Sequence, residues 1–246
     1  MSNKIIYDWV SITSKIHSPD GFIRMLGLDN PGISWELMKG AHGYRDRLYW
    51  ERISIHFNGR DDMGIWLEMS GQGCRAFESF GSGDYESLFA EVSAAGDDMH
   101  ITRLDVAFDD HAGLLDIEQI LSDSRSGEYV SKWRGGNVTY GIGEDAGRSV
   151  LFGSRSSEML LRIYDKAAER GFDDRHWVRV ELQLRRDRAA AFLARTEPIG
   201  ERWAGTLANY LRFVDEPCSF RFKSLQMAYE AILAAVIGCG AADPAV

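Results

Sequence analysis

Three segments of the chain alternate between apolar and polar residues, and successive side chains on a strand point to opposite faces. In residues 101–109, Leu104, Val106 and Phe108 fall on one face and Arg103, Asp105, Ala107 and Asp109 on the other. Residues 161–166 set Leu161 and Ile163 against Arg162, Tyr164 and Lys166. Residues 178–185 set Val178, Val180, Leu182 and Leu184 against Arg179, Glu181, Gln183 and Arg185. As neighbours in one sheet, the three strands would place Asp105, Tyr164, Lys166 and Glu181 on a common polar face and leave the apolar face to pack on helices.

The remaining pattern fills in an α+β protein. Residues 4–12 read as a strand. Ser18-Pro19-Asp20 opens a short helix to about Leu28, with Pro19 suited to a first helical turn. Residues 52–57 and 65–70 form strands joined by the turn-rich Asn58-Gly59-Arg60-Asp61-Asp62. Asp84 caps a helix that Gly96 ends. With the strand at 101–109 this gives the strand, helix, strand, strand, helix, strand order of a ferredoxin-like unit. A short helix from Asp116 precedes strands at 136–142, 148–153, 159–166 and 176–185. Apolar residues at helical spacing then predict helices at 187–195, 200–213 and 224–238. The expected architecture is a large, mainly antiparallel sheet with helices on one face. It forms a single body over 1–246: a ferredoxin-like half at 1–110, a second sheet half at 111–186 and a helical part at 187–246.

Composition narrows the chemistry. A 246-residue chain with 45% hydrophobic residues can bury a sizeable core. It shows neither a secretory signal nor an apolar run of the roughly 20 residues a membrane span needs, so a cytoplasmic protein without membrane contact is expected. Cys74, Cys218 and Cys239 lack the spacing of a zinc site and read as free thiols. A net charge of −9 excludes coating of nucleic acid by bulk electrostatics. Residues 148–195 run against that average, with eleven basic and seven acidic residues; a solvated charged surface explains that excess as well as a local phosphate contact does.

Paired carboxylates on neighbouring strands repel unless a proton or cation lies between them, and Mg²⁺ or Mn²⁺ takes oxygen ligands of this kind. A tyrosine beside such an ion can attack a polarised phosphorus. The bland alternatives stay open: Asp105 and Glu181 as partners of Arg103 and Arg179, and Tyr164 as a packing residue. A carboxylate-pair hydrolase such as a glycosidase would use the two acids without the tyrosine.

Five stretches, DWVSIT at 8–13, MSGQGCR at 69–75, ITRLDVAFDD at 101–110, LFGSRSSEMLLRIYDKAAE at 151–169 and WVRVELQLRR at 177–186, resemble the replication initiation factor family. That family comprises rolling-circle initiators of plasmids and phages and relaxases of conjugative elements. The resemblance implies attack by Tyr164 on one DNA strand, leaving a 5′-phosphotyrosyl enzyme and a free 3′-OH. It assigns Lys166 as a phosphate or general-acid partner. Asp105 and Glu181 are the metal-binding acids, Asp109 is a second choice, and Asp8, His56 or Glu68 is the candidate third ligand. Arg155 and Ser157 are backbone contacts, with Arg162 and Arg179 as further DNA-binding residues. The implied partners are an origin with single-stranded character, a host helicase and replication proteins, with a homodimer as one assembly. A non-cleaving DNA-binding accessory protein on the same fold is the alternative. The six histidines include no His-apolar-His pair, which sets the chain apart from nucleases that bind metal through two histidines. No helix-turn-helix segment is expected ahead of the first strand, which leaves origin recognition to the catalytic body, a dimer partner or another protein.

Overall fold

The computed structural model describes residues 2–140, 147–172 and 174–213. The first elements are β1 (Lys4–Ser14) and α1 (Pro19–Met25), whose Ser18 cap accepts from the Gly21 amide at 3.1 Å. β2 (Glu36–Lys39), β3 (Asp46–Trp50), β4 (Ile53–Phe57) and β5 (Ile65–Met69) follow, then α2 (Gly71–Phe80), α3 (Tyr85–Ala94) and β6 (Met99–Asp110). Asp84 caps α3 as expected, accepting from the Ser87 amide at 3.0 Å. After α4 (Ile117–Ser126), capped by Asp116, come β7 (Tyr129–Ser131), β8 (Gly136–Tyr140), β9 (Arg148–Phe152) and β10 (Met159–Asp165). The chain continues through α5 (Lys166–Glu169), β11 (Val178–Arg185), α6 (Asp187–Leu193), α7 (Ile199–Tyr210) and β12 (Leu211–Phe213).

This is an α+β fold. Among the described residues ten strands form one antiparallel sheet in the order β2-β3-β4-β5-β1-β6-β11-β10-β9-β8, and β7 pairs with β12 separately. The expected ferredoxin-like order gains a β2–β3 hairpin and the helix α2. The Gly-rich start of α2 hides it in sequence, yet Gly73 has to be small: a Cβ there would lie 2.5 Å from the Arg52 carbonyl oxygen. The helix expected over 200–213 stops at Tyr210, because Leu211–Phe213 instead pair with Tyr129–Ser131. The helix expected at 224–238 lies outside the described residues. No helix among those described is long and apolar enough to cross a membrane.

The chain gathers into two compact units. One takes the chain up to Ile6, Val106–Gln183 and the chain from Arg195; the other takes Tyr7–Asp105 and Leu184–Ala194. In the first, Val106, Leu161, Ile163, Val180 and Leu182 are buried, and α4 lies against β9 and β10. Trp203 of α7 donates from Nε1 to the Val106 carbonyl at 3.2 Å and meets the Phe108 ring at 5.8 Å. In the second, Val10, Ile12, Ile53, Ile55, Leu67 and Met69 line one sheet face, fully buried. Helix α1 packs on β4, and α2 on β4 and β5. The apolar side of the strand alternation read from the sequence is thus buried in both units, and in the first unit Tyr164, Arg179 and Gln183 on the polar side are buried as well.

Candidate active site

In the first unit, β10 and β11 carry the tyrosine and its acid. Tyr164 is only 3% exposed, and its hydroxyl donates to Glu181 Oε2 at 3.1 Å. Burial pushes the phenol pKa well up, and the Glu181 charge raises it further; Arg179 and Arg162 pull it partly back. The phenol is therefore a neutral donor at physiological pH. The Arg162 guanidinium lies 3.9 Å from the ring centroid and Lys166 Nζ 5.3 Å, a cation–π arrangement on both.

The cations around the ring are themselves tied down. Lys166 Nζ pairs with Glu169 Oε2, and Arg162 reaches Glu169 Oε1 at 3.7 Å. The i, i+3 spacing of Lys166 and Glu169 is the available sequence signal for this pair. Asp165 acts locally, capping α5 by accepting from the Ala168 amide at 2.9 Å and pairing with Arg148.

Asp109 and Arg179 form a buried two-bond pair, Nε to Oδ1 at 2.6 Å and Nη2 to Oδ2 at 2.8 Å, and Trp177 Nε1 donates to Oδ1 at 2.8 Å. Asp109 is fully buried and Arg179 is 5% exposed. Both Asp109 oxygens thus already accept hydrogen bonds, and the Arg179 guanidinium points to a carboxylate. The part Trp177 plays is hidden in the sequence, because an aromatic residue at a strand start reads as packing. Gln183, two residues past Glu181 on the same strand face, is also buried, and its Nε2 has no hydrogen-bond partner among the described residues.

Asp105 belongs to the second unit, where it is 2% exposed and bonded by Arg103, with Nε to Oδ1 at 2.9 Å. Arg103 lies over the Trp9 ring at 4.1 Å. The three candidate third ligands are in the same unit. Burial raises the Glu68 pKa against the opposing charges of Arg103, His42 and Arg47, and burial with Arg47 and His42 depresses His56 to about 4. Asp8 lies close to Gly71, where a Cβ would come 2.6 Å from its Oδ1. In the first unit, Arg155 is exposed on the β9–β10 turn, where the Ser154 amide donates to Ser157 Oγ at 3.1 Å.

Among the described residues no three His, Cys, Asp or Glu side chains come together as a metal cage. Mg²⁺ commonly needs only one or two carboxylates with water and substrate phosphate oxygens. Glu181, beside the tyrosine, fits that donor chemistry.

Comparison with known proteins then decides the family. Residues 99–230 match the model of the replication initiation factor, and residues 4–90 match that of the rolling circle replication initiation protein N-terminal domain. The chain belongs to the replication initiation factor family. Tyr164, Glu181, Asp109 and Arg179 all lie within the stretch that carries the family match. The chain is 29% identical over 226 residues to the "Putative DNA relaxase NicK" of Bacillus subtilis (strain 168), covering 85% of this chain and 64% of the relative. It thus spans somewhat under two thirds of that relative's length. The solved structure of a rolling circle replication initiator protein from Geobacillus stearothermophilus superposes with a TM-score of 0.82 at 28% identity, covering 95% of this chain and 96% of the other. The α+β fold expected from the strand and helix pattern is the fold of this chain, and it is shared with that initiator.

Proposed function

We propose that this protein nicks and rejoins one strand of DNA as the initiator or relaxase of a mobile element, with Tyr164 as nucleophile. The observation that carries this reading is the Tyr164 to Glu181 hydrogen bond, 3.1 Å long, set under the Arg162 guanidinium. In the step proposed, Glu181 Oε2 accepts the phenol proton as Tyr164 Oη bonds to the scissile phosphorus. The P–O3′ bond breaks, the 5′ end remains on the tyrosine, and the 3′ oxygen leaves as a hydroxyl protonated by Lys166. Glu181 is placed for this role because a phenol made so weakly acidic by burial needs an adjacent base. Arg162 and Gln183 Nε2, which has no hydrogen-bond partner among the described residues, offer donors to phosphate oxygens.

Glu181 would hold Mg²⁺ or Mn²⁺, and Asp105 of the other unit is a proposed metal-binding acid on the sequence motif alone. Such an ion would withdraw charge from the phosphorus. The proposed substrate is an origin with single-stranded character. A host helicase and replication proteins are proposed partners, and a homodimer a proposed assembly.

The test is incubation with supercoiled DNA from the protein's own replicon and Mn²⁺ or Mg²⁺, read as nicked circles carrying a protein-linked 5′ end. Intact circles under all metal conditions would overturn the reading. Glu181→Gln should lower cleavage by orders of magnitude while metal-free affinity for the oligonucleotide holds or rises, since repulsion of the backbone falls. Parallel loss of binding and cleavage would assign Glu181 to structure alone. Replacing Arg155 and Arg162 by Ala should flatten the salt dependence of binding, by about 0.7 in log–log slope for each single-strand phosphate that is no longer neutralised. A titration with an unchanged slope would remove both residues from the DNA surface.

A further inference from the structure

The second unit has a sheet face that supplies no residue to the strand-transfer step proposed above, although His56 and Glu68, candidate metal ligands from the sequence, lie on it. β3, β4 and β5 pair so that Arg47 faces His56 and His56 faces Trp66, and in the adjoining row Tyr49 faces Ser54 and Ser54 faces Glu68. Their neighbours in sequence, Ile53, Ile55, Leu67 and Met69, point to the opposite face and are fully buried. One face is thus aliphatic core and the other is aromatic and cationic. Trp66 is held by His56, stacked at 4.6 Å, and by the His42 edge at 5.2 Å. Arg47 lies 5.3 Å from the Tyr49 ring centroid. Tyr49, Trp66 and Arg47 are all half-buried, so each shows part of its surface to solvent.

Two observations indicate that the face is built for a ligand. Arg47 Nε and His56 Nδ1, opposite one another in register, are buried and have no hydrogen-bond partner among the described residues. Polar atoms buried without partners are costly, and two together on one face call for a group that supplies hydrogen bonds. Secondly, guanidinium and ring alternate on this face, the combination by which single strands are held: bases stack on aromatic rings while cations follow the backbone. A duplex hides its base faces and offers no such contact. Stacking also suits a protein of net charge −9, which cannot rely on bulk electrostatics. Glu68, on the same face, opposes backbone binding in part, which leaves stacking as the main contact.

We propose that this face is a platform for single-stranded DNA, with unpaired bases stacked on Tyr49 and Trp66 and Arg47 on the backbone or a base edge. The inference rests on the DNA-processing reading above and gives the second unit a part in it: holding the unpaired strand.

The test is fluorescence anisotropy of a labelled oligo(dT) with the full chain, free of metal so that no cleavage intervenes. Tyr49→Leu should weaken binding roughly 5- to 150-fold, the range for loss of one stacked base, while Tyr49→Phe, which keeps the ring, should bind like the wild type. Arg47→Met should weaken binding and reduce the log–log salt slope by about 0.7. Melting curves matched to wild type establish that each variant is folded; if Arg47→Met fails to fold, the Tyr49 pair decides alone. Equal affinity of Tyr49→Leu and Tyr49→Phe would overturn the platform, as would equal weakening by both or a preference of the wild type for duplex over oligo(dT). Nicking of supercoiled DNA is scored separately. Nicking with unchanged oligo(dT) binding in Tyr49→Leu overturns the platform alone, whereas absence of both wild-type nicking and oligo(dT) binding overturns the functional reading as well.

Discussion

Tyr164→Phe is expected to abolish nicking and the protein-linked 5′ end while leaving DNA binding intact. Only the hydroxyl is removed, so the ring still lies beneath the Arg162 guanidinium and within the packing that leaves Tyr164 3% exposed. What disappears is the attacking oxygen and its hydrogen bond to Glu181. With no nucleophile no covalent intermediate forms, and the fall should be several orders of magnitude, below detection on a gel. The missing hydrogen bond to a half-buried carboxylate should cost about 1.5–3 kcal/mol, visible as a modest fall in melting temperature. A variant that nicks at the wild-type rate would remove Tyr164 from the reaction and direct attention to another tyrosine, Tyr140 first, which is 37% exposed on β8.

The largest effect on stability should come from Asp109→Ala. Asp109 accepts two hydrogen bonds from Arg179 at full burial and a third from Trp177, so its removal takes the paired carboxylate from a buried guanidinium. Breaking a buried pair from one side costs about 3–5 kcal/mol, a large share of the roughly 5–15 kcal/mol that holds a domain folded. Urea unfolding should show that loss. A cost below about 1 kcal/mol would show that water reaches Arg179 and the pair is not a buried one. The pH dependence has a definite sign. Burial pushes the Asp109 pKa up, but the Arg179 hydrogen bonds and charge with the Trp177 bond outweigh it, so the folded value lies below the ordinary one. The stabilisation is therefore complete above the unfolded pKa of about 3.9 and is lost as pH falls through the depressed folded value. Asp109→Asn should remove that acid-range dependence, and an unaltered acid unfolding profile would argue against the pair as its source.

Much of this protein was legible in its sequence because strand alternation is a local property. The period-2 pattern separated Leu161 and Ile163 from Tyr164, and Val180 and Leu182 from Glu181; the apolar side is buried, and so are Tyr164, Arg179 and Gln183 on the polar side. Ser18, Asp84 and Asp116 announced their helices because a cap is a contact with an amide two or three residues away. The motif around Tyr164 led to the family, since its residue types and spacing are specific. Alternation assigns a side chain to a face, but it does not say how deeply that face is covered or which charges meet on it. That is why Asp109 and Arg179, 70 positions apart, could be read as a metal ligand and a DNA contact when tertiary packing buries them against each other. The same limit hid the β2–β3 hairpin that adds Arg47 and Tyr49 to a face beside Trp66. Sequence by itself determined most of the strands and which side chains share a face; only the tertiary structure decided which charges neutralise one another. The energy of a buried ion depends on the distance and dielectric of partners that chain order does not reveal.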